Sequence, residues 1–175
     1  GVVLVTSGPG ATNTVTGILT AHMDSIPIII LTGQTVTSML GKDAFQEADV
    51  FGLTMPIVKH SYLVKNPNDI PRIVREAFYI TNTGRPGPVL IDVPKDISQG
   101  KFSGNLHSEM DLPGYHPKTT FNKAKVLEIA GALSRSHKPV LLVGHGALIS
   151  NASSTVKELA ERLNAPVTTT LLVTI

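Results

Sequence analysis

The sequence predicts an α/β protein on a parallel sheet, followed by the start of a second α/β unit. Three observations carry this. The runs VVLV at 2–5, IPIIIL at 26–31 and PVLIDV at 88–93 are short, β-branched and continuously apolar, as strands buried on both faces of a parallel sheet are. Stretches of helical length lie between them, giving β-α-β crossovers. After a stretch at 97–120 that loses periodicity and gathers Gly, Pro, Ser and His, the pattern restarts, which places a domain boundary there.

Taken in order, the first strand runs into TSGPGATN at 6–13, a turn with two glycines around a proline, and then into GATNTVTGILTAHMD at 10–24, which has helical length. Thr12 or Asn13 is placed to cap that helix. The second strand is followed by the polar loop GKDAFQEAD at 41–49. In the 66–84 stretch, Ile70, Ile73, Val74, Ala77 and Phe78 form one apolar stripe at helical spacing, with Asn68 as N-cap and Gly84 as stop. GRPGPVLIDVPKD at 84–96 is a buried strand that Pro94 ends, leaving Lys95 and Asp96 just past its carboxyl end. In the second part Asn122 caps a helix whose Val126, Ala130 and Leu133 share a face. PVLLVG at 139–144 is a buried strand, Val156, Leu159, Ala160 and Leu163 stripe another helix, and PVTTTLLV at 166–173 is the next strand.

Composition excludes several function classes. With 42% apolar and 16% charged residues the chain is globular rather than disordered. Its 15 Lys+Arg against 13 Asp+Glu are scattered, so there is no electrostatic footprint for nucleic acid or a membrane surface. Cysteine is absent, which rules out a disulfide scaffold and a Cys zinc site. No apolar run approaches the roughly 20 residues needed to span a bilayer. The default compartment is the cytoplasm. The chain begins mid-strand without an initiator Met and stops in the apolar run LLVTI, so a piece of a longer protein is expected.

Gly8, Pro9 and Gly10 stand at the carboxyl end of a parallel strand, where open α/β sheets place ligands. On spacing alone the turn serves either packing or a ligand, since a full G-x-G-x-x-G or P-loop pattern is lacking. Phe45 sits in a polar loop beside Gln46. A loop aromatic ordinarily tucks into its own domain's core; the alternative is a pocket wall, with the Gln46 amide supplying directed hydrogen bonds. Arg85 and Lys95 read as surface charges, yet Lys95 is again at a strand end and suits a carboxylate. GHGA at 144–147 is a lone G-x-G after a strand. The histidines show no ligand spacing, and no metal site is expected.

Taken together, TSGPGATN, MDSIPIIILTGQ, GKDAFQEAD, VKHSYLV, DIPRIVREAF, GRPGPVLIDVPKD and VGHGALIS closely resemble the catalytic subunits of acetolactate synthases, over nearly the whole chain. GPG and RPGPV recur in other thiamine-diphosphate enzymes such as pyruvate oxidase and glyoxylate carboligase; the FQE segment with VKHSYLV is more particular. The resemblance implies a parallel-sheet pyrimidine-binding domain portion at 1–97, a linker at 98–120 and the beginning of a Rossmann-like central FAD-binding domain at 121–175. It implies thiamine diphosphate, Mg²⁺ and FAD as cofactors. The implied reaction decarboxylates pyruvate and joins the two-carbon unit to a second pyruvate or to 2-ketobutyrate, in branched-chain amino-acid biosynthesis. Carried over by position, Gly8, Pro9, Gly10 and Asn13 line the aminopyrimidine pocket. Phe45 and Gln46 face the substrate beside the thiazolium, Gln46 being the catalytic candidate, and Lys95 stands at the mouth of the substrate channel. Arg85, Gly146 and Thr170 contact FAD.

Implied partners are a second copy of the chain, as homodimer or homotetramer, and a regulatory small subunit; a plant or algal source would place it in a plastid. The family's activating glutamate lies upstream of Gly1 and its metal-pyrophosphate motif lies downstream, so the chain alone is expected to be inactive. LLVTI also departs from the family's usual LLGLG. The alternatives are another thiamine-diphosphate carboligase or decarboxylase, and a non-catalytic nucleotide-binding or interaction module.

Overall fold

A computed structural model describes residues 1–173; residues 174 and 175, the end of the LLVTI run, lie outside the described residues. The chain forms two compact units, Gly1–Thr119 and the remainder from Thr120.

In the first unit, strands β1 (Val2–Val5), β2 (Ile29–Gln34), β3 (His60–Leu63) and β4 (Val89–Pro94) form an all-parallel sheet in the order β1-β2-β4-β3. The three apolar runs are thus strands of one sheet. β3 has no counterpart among them, because HSYL opens on two polar residues and is too short to stand out. The β2–β4 register sets Thr32 opposite Asp92 and Gln34 opposite Pro94. The two faces of the sheet carry separate cores. On one, Ile29, Val64, Val89 and Ile91 meet Ile73, Ala77 and Ile80 of helix α4 (Ile70–Asn82). On the other, Ile30 and Leu90 meet Ala11, Ile18 and Val50.

Helix geometry departs from the sequence reading in three places. The 10–24 stretch is two helices, α1 (Pro9–Thr12) and α2 (Val15–Met23). Neither Thr12 nor Asn13 caps its start: α1 begins at Pro9, whose fixed φ suits the first helical position, behind Gly8 at φ +55°. Asn68 does not cap α4 either. Asn66 caps the preceding 3₁₀ turn by accepting from the Asn68 N–H at 3.0 Å, and the Asn68 Oδ1 accepts from the Ser103 N–H at 2.8 Å. Phe78 leaves the predicted stripe and is 50% exposed, its place in the core taken by Ile80. Gly84, at φ +63°, lies just past the capping residue Thr83, in the positive-φ conformation expected of a stop.

Two short helices complete the first unit, α3 (Val50–Thr54) after the 41–49 loop and α5 (Lys95–Ser98) after β4. Beyond them, residues 101–119 contain no helix or strand but fold back on α4. Arg75 donates to Leu106 O at 2.8 Å and to Ser108 O, and buried Glu76 accepts from the Asp111 N–H at 2.7 Å. Glu76 also accepts from the Tyr62 hydroxyl at 2.9 Å and from Arg72 at 3.0 Å, so three donors meet one buried carboxylate.

The second unit holds α6 (Lys123–Ser134), β5 (Leu141–Val143), α7 (His145–Ile149), α8 (Ser153–Leu163) and β6 (Val167–Thr169), with β5 and β6 parallel. Asn122 caps α6 by accepting from the Lys125 N–H at 3.2 Å. The predicted apolar face of α6 is not buried, and Leu142 of the predicted buried strand is 70% exposed.

Candidate functional site at the carboxyl edge of the first sheet

Parallel strands point their carboxyl ends to one edge, and here that edge gathers the ends of β1, β2 and β4. The turn after β1, the loop after β2 and α5 after β4 therefore meet, as in other open α/β sheets. A cleft of about 680 Å³ opens there. Its floor is apolar, from Leu4, Val5, Leu31 and Val93, and its polar groups are Thr6, Ser7, Thr32, Gln34, Lys95 and Ser98. Lys95 is exposed at the start of α5, a cation over a mainly apolar floor. A small organic anion suits such a lining.

Gly8 is buried, and the reason is the loop. A Cβ on Gly8 would lie 2.6 Å from Gln46 O and 2.9 Å from Gln46 Cα. The GPG turn and the FQE loop are thus packed backbone to backbone, and the space a side chain would fill at Gly8 is occupied by Gln46. A Cβ on Gly10 would lie 2.6 Å from Thr6 Cγ2, so this glycine lets the turn close on its own strand. Pro9, Asn13 and Gln46 are exposed on the same edge, and Phe45 is 89% exposed, outside any core of the chain.

The loop is shaped by its own carboxylates. Glu47 accepts from the Ala44 N–H at 2.8 Å and from the Gly41 N–H, which holds its carboxyl below the ordinary range. Gln46 has φ +57° and Asp43 φ +53°, left-handed conformations that non-glycine residues rarely adopt. Asp49 accepts from the Gly52 N–H at 2.9 Å and so caps α3. Asp96 accepts from the Thr37 hydroxyl and from the Thr37 N–H at 3.0 Å; both bonds lower its pKa and fasten the segment between β2 and the loop to α5.

Beneath the loop lies a polar cluster that the sequence reading did not single out. Asp92, 1% exposed, accepts from Thr32 Oγ1 at 2.6 Å and from Gln34 Nε2 at 3.0 Å. Gln34 Nε2 also donates to Ala48 O at 2.8 Å, and Gln34 Oε1 accepts from the Thr35 N–H at 2.8 Å. Burial pushes the Asp92 carboxyl up, against the two hydrogen bonds that lower it. The available signal was an Asp inside an otherwise apolar strand, PVLIDV.

The remaining candidates stand elsewhere. Arg85 precedes β4 at the opposite, amino edge of the sheet, where its Nε donates to Ser25 Oγ at 2.7 Å and its Nη2 to Met23 O at 2.8 Å. It closes the carboxyl end of α2. In the second unit Gly146 is exposed in the first turn of α7, with nothing within 4 Å of a Cβ placed on it. Thr170 follows β6, donates its N–H to Val143 O at 3.0 Å, and brings Oγ1 to 4.0 Å from a Cβ placed on Gly144. The GHGA turn and Thr170 thus share the carboxyl edge of the β5–β6 pair. Among the described residues no three His, Cys, Asp or Glu side chains group as metal ligands, and no helix is long and apolar enough to cross a membrane.

Comparison with known proteins bears on the same stretches. The family model described as thiamine pyrophosphate enzyme, N-terminal TPP binding domain, matches residues 1–53, which include the GPG turn and the FQE loop. The model for the central domain of thiamine pyrophosphate enzymes matches residues 126–174. The chain is 52% identical over 176 residues to the acetolactate synthase large subunit of Porphyra purpurea, covering 98% of this chain and 30% of that protein. It is 49% identical over 172 residues to the acetolactate synthase of Mycobacterium bovis, covering 98% of this chain and 28% of the relative. To the acetolactate synthase of Arthrospira platensis it is 49% identical over 174 residues, covering 98% and 30%. The chain therefore spans about 30% of the length of these relatives. Two family matches in the order the fold requires, and about half of all positions shared along 98% of the chain, place it among the thiamine pyrophosphate enzymes, in the family of the acetolactate synthase large subunits.

Proposed function

We propose that the chain supplies one wall of the active site of an acetolactate synthase, which condenses two pyruvates, or pyruvate and 2-ketobutyrate, with release of CO₂. The observation that carries this reading is the backbone-to-backbone seat of Gln46 on Gly8, which sets the FQE loop and the GPG turn side by side on the edge that Lys95 shares. Thiamine diphosphate, when bound, supplies the electron sink that decarboxylation of a 2-keto acid needs. The residues fit its flat aminopyrimidine end: Pro9 offers an exposed apolar ring and Asn13 an exposed amide one helical turn on. Phe45 shields the reacting centre from water, the Gln46 amide orients the second keto acid, and Lys95 draws its carboxylate into the cleft.

Mg²⁺ and the cofactor's diphosphate would be held by parts of the enzyme other than the described residues; Gly146 and Thr170 in the second unit would contact FAD, and Arg85 is a separate FAD candidate in the first unit. The working unit is a homodimer or homotetramer, with a regulatory small subunit as further partner, in the cytoplasm or, in an alga, the plastid. The 175-residue chain alone makes no acetolactate.

The test is an assay of the complete polypeptide that carries this segment. With thiamine diphosphate, Mg²⁺ and FAD it forms acetolactate from pyruvate, and Gln46→Ala raises KM for the second keto acid. A complete polypeptide that releases CO₂ without acetolactate, or forms a glyoxylate-derived product instead, overturns the reading.

A further inference from the structure

We propose that Gln34 is a positioning residue: clamped between Asp92 and the Ala48 carbonyl, it fixes the 41–49 loop on the sheet so that Gln46 meets substrate in one conformation. The proposal rests on the reading that Gln46 faces the second keto acid.

Besides the backbone contact of Gln46 with Gly8 and the Asp96 bonds to Thr37 ahead of it, the loop is held from β2 by Gln34. The loop carries Asp43 and Gln46 at positive φ, conformations that relax unless surrounding contacts hold them. The bonds of Glu47 to Gly41 and Ala44 and of Asp49 to Gly52 begin and end within residues 41–52. They give the loop its shape without setting where it sits. Gln34 reaches from the last residue of β2 to Ala48, two residues beyond Gln46.

Its amide is itself immobilised. Nε2 donates at 2.8 Å to Ala48 O and at 3.0 Å to Asp92 Oδ2, and Oε1 accepts from the Thr35 N–H at 2.8 Å. Thr32, opposite Asp92 in the strand register, holds the other carboxylate oxygen at 2.6 Å. A buried carboxylate is a poor choice for packing alone, since an apolar residue of similar volume avoids its desolvation. As an acceptor for two donors on β2, it orients the Gln34 amide toward the loop.

The test uses the complete enzyme with Phe45→4-fluorophenylalanine as a ¹⁹F probe. Gln34→Met keeps the length of the side chain and removes its amide. It splits, broadens or shifts the ¹⁹F line and raises KM for the second keto acid about five- to tenfold, with kcat within about twofold. Asp92→Asn alone, with Gln34 in place, leaves both readouts near wild type, because its amide can accept from Gln34 Nε2 and donate to Thr32 Oγ1. If Gln34→Met does not fold, Thr32→Val gives the same two changes at smaller size. A folded Gln34→Met or Thr32→Val enzyme with the wild-type line overturns the proposal at its structural step. A displaced line with wild-type KM overturns it through the role of Gln46, and so separates the two claims.

Discussion

At the scale of single residues, the structure replaces one explanation of Gly8 with another. A glycine between strand and helix suggests room for a ligand, whereas here the room is taken by the backbone of Gln46 at 2.6 Å. Gly8→Ala therefore displaces the FQE loop as well as straining a residue at φ +55°. Gly17, in the interior of α2 with nothing within 4 Å of a Cβ placed on it, is the control. Gly17→Ala is expected to raise stability by about 0.5–1 kcal/mol, read as a higher denaturant midpoint. Asp92 makes a second prediction. Its folded-state pKa is raised by burial, so its contribution to stability is full below the unfolded pKa and falls as pH rises through the folded one. Relative to wild type, Asp92→Asn should then gain stability as pH rises above about 4, the range of an unfolded carboxyl, since the amide carries no charge to bury. Chemical unfolding at several pH values checks this, and a relative stability that falls over that rise in pH contradicts it.

At the scale of elements, α4 shows how a charge in an apolar neighbourhood is used. Lys59, before β3, extends its ammonium group to the carboxyl end of α4, where it donates to Thr83 O at 2.6 Å, to Ile80 O and to the Tyr115 hydroxyl at 3.1 Å. A cation there offsets the partial negative charge of the last carbonyls and ties the 101–119 segment to the helix. Lys59→Met should cost about 1–3 kcal/mol of unfolding free energy, with unchanged denaturant m-value. A midpoint equal to wild type would remove this role. Most of this level was legible in the sequence. Continuous apolar runs marked β1, β2 and β4; β2 and β4 are buried on both faces as such runs imply, whereas β1, the end strand, leaves Val2 and Leu4 exposed. β3 was not legible, since its His60 is exposed and its Ser61 and Tyr62 find polar partners, so no apolar run marks it. The break between α1 and α2 was hidden for another reason: Thr14 Oγ1 bonds back to Ala11 O at 2.6 Å, a local competition that periodicity does not reveal. The candidate site was legible as a set of turns at strand ends. The Thr32–Asp92–Gln34 cluster under it follows from strand register, which a single sequence does not display.

At the scale of the whole molecule, the first unit leaves large apolar side chains exposed on both sides of its end strand. β1 is the end strand of its sheet, with Val2 57% and Leu4 79% exposed, and Leu19 and Met23 of α2 are exposed as well. Exposed apolar side chains of this size are commonly covered in a working protein by further chain or by a partner. The 175-residue chain in isolation should therefore associate with rising concentration and bind a hydrophobic dye. Light scattering that gives a monomer at all concentrations, without dye binding, would contradict this. The central claim is that the carboxyl edge of the first sheet, where Gly8 seats Gln46, forms part of the thiamine diphosphate site. Calorimetric titration of thiamine diphosphate with Mg²⁺ into the complete polypeptide tests it most directly. Gly8→Val should weaken binding at least about tenfold while Gly17→Ala leaves it at the wild-type value. Equal affinity in a folded Gly8→Val protein would contradict the account and leave the turn a matter of packing alone.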